Sequence, residues 1–250
     1  MVQWQLSWLF SAPLKIYAFF IPTGCFVPVD IAIAVDNSDS LTISDFNNIK
    51  RFLKQLVRRF PSPETRFSLL EYGASATVLT DFRKYRDQIQ LETLIDNMEK
   101  RVDSERRVDI ALETIKDEIF SLQGAMRHGH PRYLLFVSSD DSTANFSVLE
   151  GAGKQLRDLG VNIVAIGTNR DVPEEFMEKV AGDRRFIYKA EEPGELGELV
   201  LGDLSREMCS GKRFQKWISF FSVFYKMPFD LLLRACPLYA VHQRLKDVGY

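Results

Sequence analysis

Cysteine and histidine are scarce in this 250-residue chain, three of each, and they are scattered. Cys25, Cys209 and Cys236 form no Cys-x-x-Cys pair and share no ligand spacing with His128, His130 or His242, so a zinc site has no support. Gly-x-Gly-x-x-Gly and Gly-x-x-x-x-Gly-Lys-Ser/Thr are absent after every apolar run, which removes the usual dinucleotide and nucleoside triphosphate cradles. Gly-x-Ser-x-Gly is missing as well, and no histidine follows a strand-like segment, so an α/β-hydrolase triad has no support. Charge of one sign is lacking too. A net charge of -2 supplies no basic field, and nucleic acid is not an expected partner. The Arg58-Arg59 and Arg106-Arg107 pairs read as solvated faces.

Long apolar runs are also few. Trp217 to Tyr225 is the most aromatic stretch, and it is too short for a membrane span of about 20 residues. Residues 1–24 form an apolar, aromatic extension that is signal-like but has no basic residue before its first apolar run and no Ala-x-Ala-like exit. Residues 212–250 form a second aromatic-rich extension, read either as a surface for a membrane or partner or as a poorly packed appendage. Between them, residues 25–211 carry the composition of one globular domain, with an apolar content of 46% over the whole chain.

Within that domain, apolar runs alternate with helical periodicity. Val29 to Val35 reads as a strand buried on both faces. Thr42 to Phe60 reads as a helix with Phe46, Ile49, Phe52, Leu53, Leu56 and Val57 on one stripe, opened by the Thr42/Asp45 pair. Further strands are expected at 66–71, 76–80, 133–137, 161–166 and 186–188, and helices at 88–98, 108–122, 147–159, 173–180 and 195–208. Gly160 supplies a left-handed stop for the fourth helix. The alternation predicts an α/β fold, a doubly wound, mostly parallel sheet flanked by helices. Ligands of such sheets collect at the carboxyl ends of the strands.

Two acidic strand ends fall on that edge. Asp36-Asn37-Ser38-Asp39-Ser40 follows the first strand and Ser138-Ser139-Asp140-Asp141 follows the fourth. A carboxylate with two hydroxyls offers hard oxygen to Mg²⁺ or a similar cation and leaves room for an acidic group from a partner. Both carboxylates are expected at the strand-end surface rather than in the core. A phosphohydrolase using Asp36 as nucleophile with Mg²⁺ is the enzymatic alternative.

The segment Val29 to Ser40, with the second acidic strand end, resembles the first strand and Asp-x-Ser-x-Ser loop of a von Willebrand factor A domain. The order of elements to residue 211 is similar to that family, and the ending Glu207-Met208-Cys209 is most like the collagen VI-type members. The resemblance implies a Rossmann-like fold, no enzyme activity, and a metal-ion-dependent adhesion site holding Mg or Mn through Asp36, Ser38, Ser40 and Asp140. It also implies protein ligands, among them matrix proteins such as collagens, and a secreted, extracellular-matrix setting. The alternative is an intracellular, cytoplasmic A-domain scaffold.

Two departures from the family pattern stand out. Arg106 occupies the position of the usual Thr ligand, with Ser104 two residues away, and Asp141 replaces the usual Gly. A guanidinium near Asp36 and Asp140 would neutralise them without a metal, so the site is expected to be degenerate. Cys25 and Cys209 flank the domain, and a bridge between them would join its two ends. Three reduced thiols are the alternative.

Overall fold

A computed structural model describes residues 27–209, apart from 85–86, 102–104, 122–126, 128 and 141–144. Six strands form one sheet in the order β3-β2-β1-β4-β5-β6. They span Asp30–Asp36 (β1), Arg66–Tyr72 (β2), Ala76–Thr80 (β3), Arg132–Ser138 (β4), Val161–Gly167 (β5) and Ile187–Lys189 (β6). Only β3 runs antiparallel to its neighbour. The helices are α1 (Ile43–Arg58), α2 (Gln88–Asp96), α3 (Val108–Thr114), α4 (Phe146–Asp158), α5 (Glu174–Ala181) and α6 (Leu196–Cys209). This is the doubly wound α/β arrangement that the alternating pattern predicts.

Every residue of β1 is buried, because helices cover both faces of the sheet. Ile31, Ile33 and Val35 pack toward α1, α2 and α6. Ala32 and Ala34 face α3, α4 and α5. Their small size has a cause in the neighbouring strands. Tyr72 stacks on Phe136 with ring centroids 5.2 Å apart, and Phe136 meets Phe176 edge-on at 6.3 Å. These rings fill the layer above the alanines, and a larger side chain in β1 would overpack it.

Thr42 opens α1 by accepting the Asp45 N–H at 3.1 Å and donating its hydroxyl to the Asp45 carboxylate at 2.7 Å. The six stripe residues of α1 are all buried against the sheet. Gly160, with φ of +78°, ends the chain's passage out of α4 in the left-handed region that favours glycine. One expected helix differs in kind. The segment expected at 108–122 is α-helical only to Thr114 and continues as a π-helical turn over Ile115–Ile119. A π turn absorbs an extra residue without moving the apolar face off the sheet, so the stripe itself does not disclose it.

Candidate functional site at the strand edge

β1 lies at the centre of the sheet, hydrogen-bonded to β2 on one side and β4 on the other. Its last residue, Asp36, therefore reaches the carboxyl edge where the strand order reverses. The side chain is fully buried, which corrects the expectation of a surface carboxylate. Desolvation of this kind demands donors. Asp36 Oδ1 accepts the Ser38 N–H at 2.9 Å, and Oδ2 accepts the Ser139 N–H at 3.1 Å. The Ser139 hydroxyl also donates to Oδ2. Ser139 Oγ lies 2.7 Å from Ser40 Oγ, which in turn lies 2.8 Å from Ser38 Oγ.

Asp36, Ser38 and Ser40 thus converge, as the Asp-x-Ser-x-Ser spacing predicts, and Ser139 joins them. Ser139 was not among the candidate site residues. Its partner Asp36 is 103 positions away, and the only local sign is a hydroxyl at a strand end next to Asp140.

Asp140 sits directly after Ser139, with a side chain 40% exposed. The Arg106 guanidinium reaches it with Nη2 3.4 Å from Oδ2, and Arg106 itself is only 16% exposed. Arg106 is therefore not on a solvated face, whereas Arg107 pairs with Asp109 at 2.7 Å and is 38% exposed. Ser104 and Asp141 lie outside the described residues, as does Cys25, and the Cys209 side chain is likewise outside them.

The loop that carries Arg106 is tied to the Asp-x-Ser-x-Ser segment. Asn37 donates to the Glu99 carbonyl at 2.8 Å and accepts the Arg101 N–H at 2.9 Å. Lys100 donates to the Ser38 carbonyl at 2.6 Å. Arg101 pairs with the buried Glu71, Nη2 to Oε2, at 3.1 Å. Burial pushes the Glu71 carboxyl above its ordinary pKa despite Arg101, and among the described residues its Oε1 has no hydrogen-bond partner. Burial first, and the Asp36 charge second, push the Tyr72 phenol well above its usual range.

The oxygen set is of the hard type that Mg²⁺ or Mn²⁺ selects, two carboxylates with nearby hydroxyls. Both Asp36 oxygens and the serine hydroxyls already bond to one another, and the cation beside Asp140 is a guanidinium. Among the described residues, no three of His, Cys, Asp and Glu gather into a metal-binding group.

Residues 30–201 match the family model of the von Willebrand factor type A domain. The chain belongs to that family. Its A domain is 29% identical over 188 residues to the collagen alpha-4(VI) chain of Mus musculus, covering 74% of this chain and 8% of that one. It is 22% identical over 152 residues to matrilin-1 of Gallus gallus, covering 60% of this chain and 30% of the relative. The A domain also superimposes on proximal thread matrix protein 1 of the mussel byssus with a TM-score of 0.70 at 18% identity, covering 74% of this chain and 49% of that one. A structure of the same mussel protein with a zinc-occupied MIDAS motif gives the same TM-score and identity. The fold is shared with that protein, and this chain spans only a small part of the collagen relatives.

Proposed function

We propose that this chain is a non-enzymatic protein-binding module whose adhesion site at the strand edge is degenerate, neutralised by Arg106 in place of a metal. The carrying observation is the 3.4 Å approach of Arg106 to Asp140, beside an Asp36 whose oxygens are already occupied by donors. A cation built into the chain removes the electrostatic need for a second one, and recruiting an ion would mean separating Arg106 from Asp140.

The same geometry argues against the phosphohydrolase alternative. A nucleophilic carboxylate must present a lone pair to substrate, but Asp36 is fully buried and accepts bonds on both oxygens. Similarity to a collagen VI chain and a matrilin supports an extracellular-matrix setting with matrix proteins as ligands, over an intracellular scaffold. In that setting residues 25–211 are the module, with 1–24 and 212–250 as extensions, and Cys25 bridges Cys209. Among the described residues, no helix is long and apolar enough to cross a membrane.

Surface plasmon resonance of the full chain over immobilised collagens, in Mg²⁺ and in EDTA, tests the reading. Binding that survives EDTA supports it. Binding abolished by EDTA, or Mg²⁺-dependent turnover of a generic phosphate ester, overturns it.

A further inference from the structure

Away from the strand edge, an open groove of about 900 Å³ runs between α1 and the turn leading into α6. One wall carries Arg51, Arg58 and Arg59, and the other is largely stripped of side chains at Gly194, Gly197 and Gly202. Among the described side chains of the lining the one acid is Glu195, turned toward its own loop, where Oε2 accepts the Glu191 N–H at 3.2 Å. Arg51 touches Asn48 Oδ1 at 3.0 Å and has no ion-pair partner among the described residues. Among the described residues Arg58 bonds Glu92 alone, through two of its five N–H groups, and its side chain is 59% exposed.

Spacing and charge together select the occupant. Arg51 and Arg58 stand seven residues apart on one helix face, a rise of about 10 Å. In a polyproline II-like extended peptide three residues make one turn and rise about 9 Å, so carboxylates at every third position share one face and match both guanidiniums. Arginine forks favour carboxylates in bidentate geometry. A Cβ placed on Gly202 meets nothing within 4 Å, whereas Gln55 already packs against Gly197, so the wall is open to an approaching backbone at Gly202. The chain's own residues 211–250 are the wrong partner, because they hold seven Lys and Arg against two Asp and no Glu.

We propose that this groove docks an extended acidic peptide segment of a partner protein, held by Arg51 and Arg58 through carboxylates three residues apart. The proposal goes beyond the strand-edge site, uses none of its residues and stands whether or not that site takes a metal.

Fluorescence anisotropy of a labelled peptide of four Glu-Pro-Pro repeats, which holds the polyproline II form, titrated with the full chain, tests it. Arg51→Glu is expected to weaken binding at least about tenfold. Gly202→Leu, which fills the groove without changing charge, is expected to weaken it comparably. Lys154→Glu on the far face, at an exposed position, is expected to stay within about twofold of wild type. Thermal melts confirm that each variant is folded. No binding by the wild type at about 1 mM, or equal losses in Arg51→Glu and Lys154→Glu with none in Gly202→Leu, would overturn the proposal. Arg51-dependent binding of a sulfated polysaccharide without binding of the peptide would overturn it too.

Discussion

Arg106 holds its guanidinium 3.4 Å from the Asp140 carboxylate, at the edge where Asp36, Ser38, Ser40 and Ser139 close a hydrogen-bonded ring of their own. An A domain here carries a covalently supplied positive charge in the region where its family places a metal ligand.

Asp36 is expected to be structural as well as functional. Its removal strands the Ser38 and Ser139 amides in a buried setting, each costing about 1–3 kcal/mol. Asp36→Ala should therefore lower stability measurably in urea melts, whereas Asp140→Ala, at an exposed side chain, should cost less. Equal small losses in both would contradict the buried ring.

At the opposite edge of the sheet, Asp30 is buried and paired with both Arg66 and Arg127. Burial raises its pKa, but the two guanidiniums outweigh that and hold the carboxyl below its ordinary value. A depressed native pKa means that the unfolded chain binds more protons in acid. The stabilisation is present above the unfolded value and is lost as pH falls through the folded one. Asp30→Asn should cost about 3–5 kcal/mol at pH 7 and progressively less below about pH 4, read from denaturant melts across that range.

Glu71 has the opposite sign. Its carboxyl is raised by burial, so the folded state holds a proton that the unfolded state has released, and stability declines as pH rises from about 4.3 through the raised value. Comparing wild type with Glu71→Gln between pH 4 and 8 should show the difference moving in favour of the variant as pH rises. A pH-independent difference would show that Arg101 compensates the charge fully.

The strand-helix alternation, the α1 stripe and the Thr42 start were legible because each depends on residues within a few positions. The alanines of β1 were not, since their size answers to Tyr72, Phe136 and Phe176 on other elements. Asp36, Ser38 and Ser40 could be read from one loop. Ser139 could not, because its contacts to Asp36 and Ser40 cross from one strand end to another. Arg106 became visible only through the family pattern. Nothing in the local sequence distinguishes it from Arg107, which pairs with its own helix at Asp109. The burial of Asp36 was missed for a related reason, since strand-end position says little about what neighbouring loops cover.

The cysteines give a chemical test of the setting. In a secreted A domain, Cys25 and Cys209 should be bridged, closing a long loop and stabilising by about 5 kcal/mol in the chain-entropy model. Non-reducing peptide mapping of the chain secreted by cultured cells should recover that pair. Cys25 joined to Cys236, or three free thiols, would count against the extracellular assignment.

Isothermal titration of Mg²⁺ and Mn²⁺ into wild type and Arg106→Thr, at equal ionic strength, tests the degenerate site most directly. Wild type should bind at about millimolar or weaker, because an arriving ion meets the Arg106 charge and lacks a hydroxyl ligand. Arg106→Thr removes the competing cation and restores a hard oxygen, and should gain at least about tenfold, or 1.4 kcal/mol. Tight metal binding by wild type, with no gain in Arg106→Thr, would contradict the account.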